Sequence, residues 1–182
     1  MQMLMPHPRR IGHRVCALAA LLVSAGMTLA ASPAVAASFD LLSSEKFDAW
    51  EANFFRNISS GRTFCAAQTT SGDGSVLRVN LYNDNREAFL ELYNPAWSLR
   101  EGGVRFALSF DGGYTADLQG KSWGDSYTHD FLVQENMLVL LGLLVKHNQV
   151  RLVNSNGMQV SEFSLKGSSQ ALAAFDKCAG GI

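Results

Sequence analysis

The side chains between residues 125 and 130 are the strongest local candidates for chemistry in this sequence. Asp125, Tyr127, His129 and Asp130 place an imidazole near two carboxylates along the chain. A carboxylate beside a histidine can orient the ring as a general base, which hydrolysis requires. This spacing is specific to no reaction, and a polar loop that runs into an edge strand has the same composition. We therefore favour a non-catalytic protein and keep a small hydrolase that uses the His129 loop as an alternative.

The motifs of common enzyme classes do not occur elsewhere in the chain. Beyond residue 37 there are two histidines, His129 and His147, and no HExxH, GxSxG, Walker or GxGxxG pattern. The oxygen-rich segment from Asn80 to Glu87 lacks the ordered acidic spacing of an EF-hand. The sequence therefore predicts no metal site and no cofactor.

Four aromatic residues are candidate binding residues. Tyr93, Trp97, Trp123 and Tyr127 fall at the ends of predicted strands or in glycine-containing loops. Large amphipathic rings at such positions often serve recognition. The alternative is burial, with Trp97 as a plug at one end of the sheet.

The first 37 residues predict export. Arg9, Arg10 and Arg14 precede an apolar run over residues 15–31, and Ala-Val-Ala at residues 34–36 is typical of a signal-peptidase site. Residues 1–37 are thus a predicted signal peptide, and residues 38–182 a single exported domain. We expect this domain in the periplasm or the extracellular medium.

The composition of the exported part limits the classes of partner that it is expected to bind. Without the leader's three arginines the chain has 12 basic and 16 acidic residues, a formal charge of −4. Nucleic-acid binding depends on clustered Lys and Arg, so no nucleic-acid partner is expected. The most apolar remaining run, residues 137–145, is too short to cross a bilayer, which needs about 20 residues.

Two cysteines remain after the leader, Cys65 and Cys178. In an oxidising compartment they have one intramolecular pairing, which ties an early strand to the C-terminal helix. Two separate buried thiols are the alternative.

Alternating apolar residues and Gly, Asn and Asp turns predict a β-rich domain. Predicted strands cover residues 63–69, 75–82, 87–93, 104–110, 114–118, 126–133, 149–153 and 160–165. Gly120, Gly124 and Asp125 indicate a loop. Residues 40–58 suit either a helix or strands, whereas residues 137–145 favour a helix. A last helix, capped by Ser168 or Ser169, turns Cys178 inward.

Together these elements predict an α+β fold that is mainly antiparallel β. We expect a curved sheet or small sandwich, with one or two helices packed on it and the C-terminal helix tied by the disulfide.

The ending FSLKGSSQAL at residues 163–172, followed by Phe175 and Cys178, resembles the close of the invasion-associated locus B family. The layout from Arg62 to Cys178 is also similar to periplasmic accessory proteins of type VI secretion. These resemblances imply a β-rich exported protein of Gram-negative bacteria, linked to envelope function or host interaction, without an established enzymatic site. Ser168 stands where that family usually has an aromatic residue, and its members often have more cysteines, so no binding residue is transferred.

The sequence favours a non-catalytic envelope or host-interaction protein that binds a protein or a glycan. A periplasmic inhibitor or immunity protein against a cell-wall hydrolase is the first alternative, and the small hydrolase is the second.

Overall fold

The computed structural model describes residues 39–132 and 134–180, which form ten strands and two helices. In chain order these are β1 (Phe39–Phe47), β2 (Trp50–Asn57), β3 (Thr63–Thr70), β4 (Val76–Tyr82), β5 (Ala88–Tyr93), β6 (Leu99–Phe110), β7 (Thr115–Gly124), β8 (Ser126–Phe131), α1 (Gln134–Lys146), β9 (Gln149–Asn154), β10 (Gln159–Ser164) and α2 (Ser168–Cys178). The predicted leader, residues 1–37, lies outside the described residues.

All ten strands belong to one antiparallel sheet in the order β1-β2-β3-β4-β5-β8-β7-β6-β9-β10. The predicted α+β fold, dominated by antiparallel β, is confirmed. Alternation explains the strands: Leu77, Val79 and Leu81 of β4 are buried on the inner face, because successive side chains of a strand point to opposite sides.

Two segments differ from a simple reading of the sequence. Residues 40–58, which suited either structure, form the β1–β2 hairpin, with Asp48 in the turn at a φ of 51°. Buried Trp50 and Ala52 alternate there with half-buried Glu51, as a strand requires. The predicted loop at Gly120 and Gly124 is wrong, because β7 continues through both glycines while paired with β6.

The sheet curves until its last strand reaches its first strands. The indole Nε1 of Trp50 donates a hydrogen bond of 2.9 Å to the Ser164 carbonyl, and the Ala49 amide donates one of 3.2 Å to the Lys166 carbonyl. In the β3–β4 turn, Asp73 accepts a hydrogen bond of 3.0 Å from the Ser161 hydroxyl of β10. We call this contact of β10 with β2 and β3 the seam.

Both helices contribute to the core. Met137, Leu140 and Leu144 of α1 are buried, which confirms the predicted helix. Leu172 and Phe175 of α2 join the same cluster. Among the described residues, no helix is both long enough and apolar enough to span a bilayer.

The predicted disulfide is confirmed. Cys65 of β3 and Cys178 of α2 are bonded, with their Cα atoms 5.9 Å apart. The predicted cap of α2 is wrong, however. Gly167 occupies the N-cap position, and the Ser168 hydroxyl donates to the Leu144 carbonyl of α1 at 2.8 Å, so this serine ties the two helices together.

Replacing both cysteines, Cys65→Ser with Cys178→Ser, should lower the free energy of unfolding by about 4–5 kcal/mol. The disulfide closes a loop of about 100 residues, and the cross-link reduces the chain entropy of the unfolded state by an amount equivalent to this free energy. Urea unfolding with and without reductant measures this change. Reductant should destabilise the wild type and leave the double variant unaffected. Equal stability of the two proteins without reductant would contradict the prediction.

The seam should weaken in acid. Partial desolvation raises the pKa of Asp73, but hydrogen bonds from Ser71, Ser75 and Ser161 outweigh it and hold the pKa below its ordinary value. A carboxyl with a depressed folded pKa stabilises the fold fully above its unfolded pKa, about 3.9 for Asp, and loses that contribution as the pH falls through the folded value.

Asp73→Asn should therefore destabilise the protein at neutral pH and converge toward the wild type in stability as the pH falls below about 4. Urea unfolding across this pH range measures the difference, with Asp117→Asn, at an exposed residue of β7, as the control. A difference between Asp73→Asn and the wild type that does not change with pH would count against the assignment.

Candidate functional site

A row of polar side chains crosses the outer face of the sheet. The strand register places seven residues side by side across seven strands, six with side chains and one glycine. From β2 to β6 they are Glu51, Gln68, Arg78, Glu91, Thr128, Lys121 and Gly103. Arg78 donates to Gln68 at 2.8 Å and pairs with Glu91 at 3.2 Å, so the β2–β5 half of the row is linked internally.

The next row on the same face carries two aromatic residues. Tyr93 of β5 and Trp123 of β7 both lie opposite Ser126 of β8, which separates them by one small side chain. Neighbouring strands lie about 4.8 Å apart, so the two rings are about 10 Å apart at their backbones. Trp123 is 40% exposed, an unusual fraction for so large an apolar residue.

A shallow groove of about 530 Å³ adjoins Trp123. Its floor is formed by backbone at Gly102, Gly103 and Gly120, and Glu101 and Lys121 contribute the charged groups of its lining. The ammonium of Lys121 lies 6.0 Å from the centroid of the Trp123 ring, at the limit of a cation–π contact. We call Tyr93, Thr128, Lys121 and Trp123, with this groove, the outer-face site.

Gly120 is required for the backbone geometry of this site. A Cβ atom at residue 120 would lie 1.8 Å from the carbonyl oxygen of Thr128, because the backbones of β7 and β8 approach closely at this point. Lys121, the next residue of β7, pairs with Thr128 at this point of close approach. Only glycine allows it.

The other two predicted binding aromatics lie on the inner face. The rings of Trp97 and Tyr127 are 5.4 Å apart, and Tyr127 is 5.7 Å from Phe106 of the core. Burial raises the pKa of the Tyr127 phenol. Trp97 is partly buried against the core, as the alternative interpretation expects of a plug. The four candidates therefore form two pairs on opposite faces.

The structure separates the residues proposed for hydrolysis. His129 lies opposite Leu90, on the inner face, and its Nδ1 donates to the Gln119 carbonyl at 2.6 Å. Asp130 is the next residue of the strand and is exposed on the outer face. Asp125 accepts a hydrogen bond of 3.0 Å from Ser126 in the β7–β8 turn. The carboxylates at 125 and 130 are thus not brought together with the imidazole.

His129 nevertheless lines a groove of about 360 Å³ between β7, β8 and α1. β7 and β8 pair only from Lys121 to Trp123, and the groove lies beside the earlier part of β7, which does not pair with β8. Asp117 is the one carboxylate of its lining, and most of the other lining side chains are apolar, among them Phe131 and Leu143. A Nδ1 proton held by the Gln119 carbonyl leaves Nε2 of a neutral ring as an acceptor.

The oxygen-rich segment is occupied by an ion pair. Arg62 donates to both carboxylate oxygens of Asp84, at 2.8 and 2.9 Å, and to Glu87 at 3.3 Å. This bidentate contact lowers the pKa of Asp84, and the guanidinium lies 4.0 Å above the Tyr82 ring. Within the described ranges, no group of three or more His, Cys, Asp or Glu side chains is arranged to hold a metal ion.

Sequence reasoning identified Tyr93 and Trp123 but missed Lys121, Thr128 and Glu101. These residues have no motif, and they come together because β8 pairs with β5 on one side and β7 on the other. The glycines of residues 102, 103 and 120 were a usable signal, since isolated glycines within strands mark close backbone approach.

No protein-family model matches the chain, and comparisons with curated proteins and with solved structures return no match. The resemblance to the invasion-associated locus B family stays a prediction from the sequence.

Gly120→Ala should destabilise the protein by about 1–3 kcal/mol or more, the range for overpacking, because the added methyl meets the backbone of Thr128 rather than a movable side chain. Urea unfolding gives the free energy. The control is Gly72→Ala in the β3–β4 turn, where no atom lies within 4 Å of the added carbon, and its effect should stay within about 0.5 kcal/mol. Equal effects of the two substitutions would refute the role of Gly120.

Proposed function

We propose that this chain is an exported, non-catalytic envelope protein that binds a glycan at the outer-face site. The observation that carries the proposal is the alignment of Tyr93 and Trp123 on either side of Ser126, beside a groove with a glycine floor. The leader over residues 1–37 supports export to the periplasm or beyond.

The chemistry of the site favours a sugar chain. Pyranose rings have apolar C–H faces, which pack on an exposed indole, and a rim of hydroxyls, which pair with charged and hydroxyl side chains. Trp123 supplies the ring, while Lys121, Thr128 and Glu101 supply donors and acceptors nearby. A protein partner would instead bury an apolar centre in its interface, whereas this face of the sheet is mostly polar.

The non-catalytic role is supported by the placement of the candidate acid–base groups. His129 faces inward against the Gln119 carbonyl, and Asp125 and Asp130 lie elsewhere. General-base catalysis needs the carboxylate within hydrogen-bond reach of the ring it orients.

Trp123→Ala should weaken glycan binding at least tenfold, which corresponds to about 1.4 kcal/mol, because the ring provides the main apolar contact. Isothermal titration with soluble oligosaccharides measures the affinity. The panel should contain N-acetylglucosamine oligomers, soluble peptidoglycan fragments and lipopolysaccharide core oligosaccharides. Lys121→Ala should weaken binding less and make it less dependent on salt.

Tyr114→Ala is the matched control, since Tyr114 is an aromatic residue of similar exposure, 48%, in the turn between β6 and β7. It should bind as the wild type does. Cross-linking in the envelope fraction tests the alternative partner. If no oligosaccharide binds and Trp123→Ala instead abolishes capture of one protein, such as a cell-wall hydrolase, the glycan proposal is wrong.

A further inference from the structure

Helix α1 has an apolar face that the fold leaves uncovered. Met137, Leu140 and Leu144 point into the core, yet Val139 on the outward side is 55% exposed. The exposed apolar residues of α1 are Leu138, Val139 and Val145, and Leu132 just before the helix is 92% exposed. Apolar residues gathered in this way usually mark an interaction surface.

The centre of this outward face is a stripe with a notch. Glu135, Val139, Gly142 and Lys146 recur at steps of four, three and four residues, which places them in one line along the helix. Gly142 has no neighbouring atom within 4 Å of where its Cβ would be, so the notch is open to a partner. The stripe therefore has an acidic end, an apolar residue, a gap and a basic end.

This order is complementary to itself in the antiparallel direction. The pairs Glu135 with Lys146 and Val139 with Gly142 share one midpoint, between Leu140 and Leu141. A two-fold axis at that point places each Glu135 opposite Lys146 of the other helix and each Val139 over the other Gly142. Closed two-fold interfaces need such a self-complementary patch.

We propose that α1 is the interface of a homodimer, in which two copies of this chain pack their α1 helices antiparallel about this axis. Charge complementarity selects a second copy as the occupant. A glycine at the crossing point allows two helices to approach closely, and flanking Leu138 and Val145 bury apolar surface around the crossing. This inference does not depend on glycan binding, because it rests on different residues.

The charge pairs provide the sharpest test. Glu135→Lys makes both ends of the stripe basic, and Lys146→Glu makes both ends acidic, so like charges oppose each other in either homodimer. Each variant alone should raise the dimer dissociation constant at least about tenfold. An equimolar mixture of the two should associate as a heterodimer. Sedimentation velocity of the purified proteins over a range of concentrations measures all three.

Filling the notch at Gly142 distinguishes a loss of dimerisation from a loss of folding. Gly142→Leu should abolish the dimer, yet it should leave the thermal midpoint of the monomer unchanged or higher, since leucine favours helix over glycine and its Cβ has no atom within 4 Å. Val139→Glu should also give monomers. Met158→Glu is the control, because Met158 is 58% exposed in the β9–β10 turn and undergoes the same apolar-to-acidic change.

A wild-type protein that remains monomeric at all concentrations overturns the proposal. So does a dimer that persists in Gly142→Leu and Val139→Glu. Co-sedimentation with phosphatidylcholine vesicles tests a lipid surface as the occupant: binding by a monomeric wild type that Val139→Glu abolishes would assign this face to membrane contact instead. Oligosaccharide binding by these monomeric variants would leave the proposed function intact.

Discussion

The seam between the last strand and the first hairpin determines the curvature of the ten-stranded sheet. Trp50 is fully buried, and its hydrogen bond to the Ser164 carbonyl joins residues 114 positions apart. Because the two ends of the sheet meet there, the sheet curves and one of its faces becomes the inside, where α1 and α2 complete the core. Such a contact costs loop-closure entropy before it contributes any stability, and further long-range bonds across the seam, such as that of Asp73 with Ser161, add to it.

Curvature also decides which side chains are available to a partner. Neighbouring residues of one strand have opposite roles: Tyr127 packs into the core, while Ser126 lies in the row that displays Trp123. A shift of register by one residue would exchange these roles. Gly120 permits the close backbone approach of β7 and β8 that accompanies the observed register, and this register places Lys121 beside Thr128.

Local patterns were sufficient to predict much of the fold. The alternation in β4, the turn residues and the two cysteines predicted strands, hairpins and the disulfide, because each depends on neighbouring residues or on a single possible pairing. The pattern of residues 40–58 satisfied both a helical and a strand period, and only burial of Trp50 at the seam distinguishes them. Of the outer-face site, the sequence predicted Tyr93 and Trp123 only. Lys121 and Thr128 become neighbours through pairing between β7 and β8, which no local pattern encodes.

The disulfide imposes an order on the maturation of the chain. Cys178 follows Cys65 at a sequence separation of 113 and lies in the last turn of α2. During synthesis, β2, β3 and β4 can pair long before the cross-link is possible, because α2 is made later than these strands. The covalent bond therefore forms late, once α2 has been made and the two cysteines are in an oxidising environment.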